Sequence, residues 1–131
     1  TLILDIKEKL KELEFPQFSL SLSGIGCTRK KGGSGVLWAG VEENPQLNKL
    51  RAAINKSLED LPIQYDRSHI PRITLARYEK LNDQKLADYL ENNGTFTSPP
   101  FTPEIFTLMI SHKTPKRTVY LEQARFNLGK L

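Results

Sequence analysis

The chain has 131 residues, of which 38% are hydrophobic and 26% charged, with a formal net charge of +4 and a single cysteine. This is one domain's length, enough to bury roughly two-thirds of the unfolded surface without staples. The balance excludes a disordered or collagen-like chain, and the lone Cys27 excludes an internal disulfide or a multi-cysteine zinc site. The longest apolar runs, such as Val36 to Ala39, are too short to span a bilayer, and Thr1 to Asp5 lack the basic start and apolar stretch of a signal peptide. A soluble, cytoplasmic domain is expected.

The charge is unevenly placed. From Ile105 onward there are five basic residues (Lys113, Lys116, Arg117, Arg125, Lys130) and one acid, Glu122. From Phe15 to Val41 there are three, Arg29, Lys30 and Lys31, and no acid. Two basic loops on one face would favour a phosphate-bearing partner, and two solvated basic loops are the plainer alternative.

In chain order, Leu2, Ile3, Ile6, Leu10 and Leu13 recur at helical spacing, which predicts a helix over 2–13 with Thr1 as a possible cap and Phe15-Pro16 as its end. Phe18 to Gly24 alternates strictly and predicts a strand with Phe18, Leu20 and Leu22 on its buried face. The glycines around Lys30 and Lys31 resemble a phosphate loop. The stretch lacks the closing Gly-Lys-Ser/Thr and a following helix, so a hairpin connection is the better reading. Val36 to Val41 is the returning strand. Residues 46–60 read as a second helix with Leu47, Leu50, Ile54, Leu58 and Leu61 on one stripe and Pro45 at its start. Residues 70–78 read as a strand. Residues 82–92 read as a third helix, capped by Asn82 and stopped at Asn92-Asn93-Gly94. Strands at 105–111 and 118–126 flank a basic turn. Hairpins mixed with crossover helices predict an α+β fold with mainly antiparallel sheets.

The chemistry concentrates in the stretch from Asp66 to Arg77. On a strand, Arg72 and Thr74 point the same way, while Ile73 and Leu75 point to the other side and are expected to be buried. A forked cation and a hydroxyl two residues apart make a small anion site; a solvent-facing sheet edge is the competing reading. Trp38 reads as core rather than as a stacking platform. Neither His69, three residues from Arg72, nor His112, at a strand end, has the company of a metal cluster.

The run Pro71-Arg72-Ile73-Thr74-Leu75-Ala76-Arg77 resembles the second signature of the two-histidine phosphoesterases, usually Pro-His-Ile-Thr-Leu-Ala-Arg. The closest branch is the RNA 2',3'-cyclic phosphodiesterases, also called 2'-5' RNA ligases. Leu20 to Gly26, Val36 to Val41, Phe106 to Ser111, Thr114-Pro115, Tyr120 and Ala124 to Phe126 resemble further family segments in the same order. The resemblance implies a two-lobed α+β fold with helices outside a central cleft. It implies two His-x-Thr motifs facing each other, no cofactor and no metal. Its partners would be RNA or nucleotides bearing a 2',3'-cyclic phosphate or a 2'-phosphate.

Carried over position by position, Arg72 stands at the second family histidine, Thr74 at the motif threonine that contacts phosphate, and Arg77 at the closing arginine that helps hold phosphate. Ser111 and Tyr120 match positions near the cleft. The first motif is expected upstream of the helix at 2–13, so residues 1–131 read as a single domain lacking its first strand and first His-x-Thr, roughly forty residues in all. One lobe is then incomplete, and an exposed sheet edge would invite dimerisation. Guanidinium stays protonated and cannot shuttle a proton, so the resemblance implies cyclic-phosphodiesterase or 2'-5' ligase ancestry with impaired chemistry. The alternative is a non-catalytic module that binds nucleotide or RNA phosphate.

Overall fold

A computed structural model describes residues 1–64 and 70–129. The elements, in order, are α1 (Leu2–Lys11), β1 (Leu22–Arg29), β2 (Gly35–Val41), α2 (Pro45–Leu58), β3 (Arg72–Tyr78), α3 (Asp83–Asn93), β4 (Ile105–Lys113) and β5 (Thr118–Asn127). This is the expected α+β class with antiparallel sheets. No helix among the described residues is long and apolar enough to cross a membrane. The chain forms two compact units: residues 1–18, 45–64 and 102–129 in one, residues 19–44 and 70–101 in the other.

In the first unit, Ile6 and Leu10 of α1 and Leu58 of α2 form a buried cluster. The hairpin β4–β5 closes over it with Phe106, Leu108 and Phe126, the two phenyl rings stacked 5.1 Å apart. The i, i+4 spacing of Ile6 and Leu10 puts both on the face that meets this hairpin. Thr1 caps α1, its hydroxyl accepting from the Leu4 amide at 3.4 Å. The helix ends at Lys11, before the expected residue 13, and Glu12 closes it.

In the second unit the sheet order is β1-β2-β3. The hairpin between β1 and β2 turns through a short 3-10 segment, where Gly32 and Gly33 take φ values of 77° and 81°. Only glycine enters that left-handed region without strain, which explains the paired glycines after Lys31. Ala39 of the central strand is fully buried. Asn82 caps α3 as expected, accepting from the Lys85 amide at 2.8 Å, and Gly94 ends it. α3 packs on β1, tied at its start by Asp83 to Arg29 at 3.4 Å, and buries Leu86 to 2% exposure.

Tyr78, paired with Gly35, fills the space that a side chain on that glycine would need. Its hydroxyl is buried without a partner among the described residues. Burial, together with the neighbouring Cys27 thiol, pushes the phenol above its ordinary range. Gly26 opens a similar notch: it pairs with Trp38, and a Cβ there would run into the indole ring.

Three expectations need correction. The strand expected over 18–24 begins at Leu22 and runs to Arg29. Leu20 makes only a bridge to Phe101, and Gly24, at φ 81°, sits in a register break between Leu22 and Ile25 that ends the alternation. Ile73 and Leu75 are not buried: they are 42% and 49% exposed. β3 is the end strand of its sheet, and α3 packs chiefly on β1 at the other end. Trp38 is half-buried rather than core.

These packing differences are measurable by chemical denaturation. Leu86→Ala is expected to destabilise the protein by about 2–4 kcal/mol, whereas Ile73→Ala should cost under about 1 kcal/mol. Gly26→Ala is expected to cost about 1–3 kcal/mol through overpacking against Trp38, with an altered tryptophan emission in the folded state.

Candidate functional site

β3 begins at Arg72, and its register against β2 decides which side chains share a face. Gly40 pairs with Arg72, Ala39 with Ile73 and Trp38 with Thr74, so Arg72, Thr74 and Trp38 lie on one face, as expected for the first two. The next pair is Leu37 with Ala76, which leaves Leu75 as an extra residue in a bulge. Val36 then pairs with Arg77. Strict alternation would turn Arg77 away from Arg72; the bulge restores it to the Arg72–Thr74 face.

Arg72 is held on this face by two contacts. Its guanidinium carbon lies 4.2 Å from the centroid of the Trp38 ring, a cation–π stack. Its Nη1 donates to Thr28 Oγ1 at 3.5 Å. Trp38 Nε1 donates to the same hydroxyl at 3.2 Å. Thr28 pairs with Val36, so it lies in the row that Arg77 occupies on the other side of β2. With both lone pairs engaged, the Thr28 hydroxyl keeps its own hydrogen as a donor. Arg72 therefore folds back over the indole toward the Thr28–Val36–Arg77 row.

The electrostatics are one-sided. None of the residues of β1, β2 and β3 is an acid. Among the described residues, neither Arg72 nor Arg77 has a carboxylate within ion-pair distance, whereas Arg29 is paired with Asp83. Two exposed guanidiniums and the Thr74 and Thr28 hydroxyls thus form a donor-rich surface without an acid on its strands. Such a surface can bind an anion.

The other expected residues lie in the first unit. Ser111 and Tyr120 are cross-strand partners on β4 and β5, both exposed, on the face turned away from Phe106 and Phe126. Arg125, on that same face, is paired with Glu122 at 2.9 Å. His112 is exposed near the end of β4 and pairs with Val119. The triplet His112-Lys113-Thr114 has the spacing of a family histidine motif, but the Thr114 hydroxyl is committed to the turn, donating to the Arg117 carbonyl at 2.7 Å and accepting from its amide at 3.1 Å. His69 lies outside the described residues. No cluster of three metal-ligating side chains occurs among the described residues.

The sequence reading did not single out Thr28 as a site residue. Its only signal was its place two residues after Gly26 on an alternating strand, meaningful once Trp38 is known to face it.

Comparison with known proteins bears on the whole chain. The sequence model of the 2'-5' RNA ligase superfamily matches residues 2–115. An RNA 2',3'-cyclic phosphodiesterase of Archaeoglobus fulgidus is 28% identical over 115 residues, covering 88% of this chain and 65% of its own length. One from Thermotoga maritima is 27% identical over 121 residues, covering 88% and 62%. The chain therefore spans slightly under two thirds of these curated relatives. Among solved structures, a phosphoesterase superposes with a TM-score of 0.66 at 20% identity, over 98% of this chain and 69% of that one. E. coli LigT complexed with 3'-AMP superposes with a TM-score of 0.59 at 21% identity, over 95% and 65%. At these identities the superpositions establish the fold, and with the match over residues 2–115 the chain belongs to the 2'-5' RNA ligase superfamily.

Proposed function

We propose that residues 1–131 hold ribose phosphates on the Arg72–Thr74–Arg77 face, and that they do not themselves turn over a 2',3'-cyclic phosphate at an appreciable rate. The lineage chemistry suggested by the curated relatives is cyclic phosphodiester opening on RNA. The solved relative with 3'-AMP bound supports a ribose monophosphate as ligand class. The observation that carries the reading is the unneutralised Arg72 guanidinium, fixed on Trp38 where the family signature has histidine.

Ring opening needs a base to take a proton from water and an acid to give one to the departing ribose oxygen. Arg72 can stabilise charge on the phosphoryl oxygens through two parallel N–H donors. It has no acceptor atom with which to take a proton from water. Losing one acid/base role costs about 10²–10⁴ in rate. Thr74 and Arg77 are assigned to phosphate oxygens. For Ser111 and Tyr120 the assignment is a donor pair on the β4–β5 hairpin, a separate and secondary part of the proposal. Arg72 is thus a binding group where its family counterpart is catalytic.

Two measurements test this. In titrations with adenosine 2'-monophosphate, Arg72→Ala should weaken binding by about tenfold or more, the worth of a charge-assisted contact, while Lys30→Ala should change it less than about twofold. Binding should weaken as salt rises. Equal losses for the two variants would mean diffuse surface charge. In hydrolysis of a nucleoside 2',3'-cyclic phosphate, the chain should show no turnover above buffer, and Arg72→His alone should restore little, because one imidazole supplies one role of two. Robust turnover lost in His69→Ala or His112→Ala would overturn the proposal.

A further inference from the structure

The bulge at Leu75 has a consequence for ligand choice. Arg72 and Arg77 are five residues apart on one strand, and strict alternation would separate them onto opposite faces. The register change brings Arg77 onto the Trp38 face, in the row Thr28–Val36–Arg77. Arg72 reaches the same row from the other end of β3, its guanidinium lying over Trp38 and touching Thr28. Thr28 and Arg77 are two strand spacings apart, about 10 Å, a gap that an extended arginine side chain largely closes. Thr74 lies on the same face between them along β3. We propose that this paired-arginine face selects a phosphomonoester dianion, the ring-opened terminal phosphate, over a cyclic phosphodiester. This rests on the phosphate-holding role assigned to the face above.

Charge and its spread over the phosphoryl oxygens separate the two ligands. A phosphomonoester has three terminal oxygens and, above its second ionisation near pH 6, close to two negative charges. A cyclic phosphodiester has two non-bridging oxygens sharing one charge. Two guanidinium forks present four in-plane N–H donors, which are attracted more strongly by three oxygens carrying close to two charges than by two oxygens sharing one. An imidazole at position 72 would contribute at most one N–H to such a ligand. Replacing it with arginine removes proton exchange and adds a second permanent fork, so the same substitution that weakens chemistry strengthens retention of the opened phosphate.

The only titratable side chains on the three strands besides their arginines are Cys27 and Tyr78, which pair with Leu37 and Gly35 on the opposite face. Lys30 and Lys31 stand at the hairpin between β1 and β2. Glu42 and Glu79 follow the ends of β2 and β3, Asp83 is engaged by Arg29, and Asp66 and His69 precede β3 in sequence. A positive charge gained at His69 as pH falls would favour the more highly charged monoester, the direction opposite to the loss that the ligand's own ionisation produces.

The test uses the emission of Trp38, the only tryptophan, which lies under the Arg72 guanidinium. The intact chain is titrated with cytidine 2'-monophosphate and with cytidine 2',3'-cyclic monophosphate. Near pH 7.5 the monoester is expected to bind about tenfold more tightly, the effect of one added charge-assisted contact. Near pH 5, below the second phosphate ionisation, most of that preference should vanish by weakening of the monoester alone. Arg77→Gln should bring the two affinities within about twofold of each other, with Arg72 still required. Repeating both titrations in His69→Gln should leave the pH dependence of the preference unchanged.

Short oligoribonucleotides ending in a 2'-phosphate or in a cyclic phosphate separate two sources of the ligand. The same preference there assigns the site to RNA ends, and a preference confined to mononucleotides assigns it to free nucleotides. Equal, Arg72-dependent binding of both phosphates would overturn the selectivity and leave the phosphate-holding face standing. Binding of neither would overturn both.

Discussion

The stack of Arg72 on Trp38 is the interaction around which the candidate face is organised. An exposed arginine normally samples many rotamers, and ordering it costs entropy. Here the indole supplies a flat support and Thr28 supplies an acceptor, so the charge is held in place without a neutralising carboxylate among the described residues. A cation–π contact at such a site contributes about 0.5–1 kcal/mol, enough to bias orientation while leaving the guanidinium edge available. The support itself depends on Gly26, because any larger residue there would displace the ring. Charge placement on β3 is thus tied to an absent side chain on β1, two strands away.

The sheet that carries the face is held from its other side. Ala39 is fully buried at the centre, Leu86 of α3 packs tightly, and Arg29 is drawn to Asp83. That ion pair leaves Arg72 and Arg77 as the arginines of the sheet with no carboxylate within ion-pair distance among the described residues. β3, the end strand, keeps Ile73 and Leu75 partly open to solvent. The pattern fits a strand whose work lies in presenting side chains; the unit's core is made by β2 and α3. In the other unit, stability comes from a separate cluster of Ile6, Leu10 and Leu58 under the β4–β5 hairpin.

Much of this was readable from residue spacing. The helices expected over 2–13 and 46–60 announce themselves through apolar periodicity, and the one over 82–92 through the cap chemistry of Asn82 and Gly94. The shared face of Arg72 and Thr74 follows from strand alternation. Three features were hidden because they arise from register. The shift of the first strand from 18–24 to Leu22–Arg29 depends on the left-handed Gly24. The return of Arg77 to the Arg72 face depends on a bulge that no local pattern marks. The exposure of Ile73 and Leu75 goes with β3 standing at the end of its sheet, a tertiary fact that hydrophobicity alone cannot supply. Trp38 was misplaced for a related reason: a large aromatic on a central strand looks like core until the glycine opposite it shows where the ring lies.

Arginine at a family histidine position changes what the strand can do with a phosphate, because it exchanges a titratable group for a permanent forked charge. On the reading proposed above, this charge is a defined phosphate site built on Trp38. Nitrogen-15 NMR of the arginine Nε–H and tryptophan Nε1–H groups tests it most directly, with the Arg72 signal assigned by its loss in Arg72→Lys. On titration with a ribose 2'-monophosphate, the Arg72 and Trp38 signals should shift together and saturate along one binding curve, while the signal of Arg29, paired with Asp83, stays nearly still. Shifts that grow without saturation and are shared equally by all arginine signals would contradict the account.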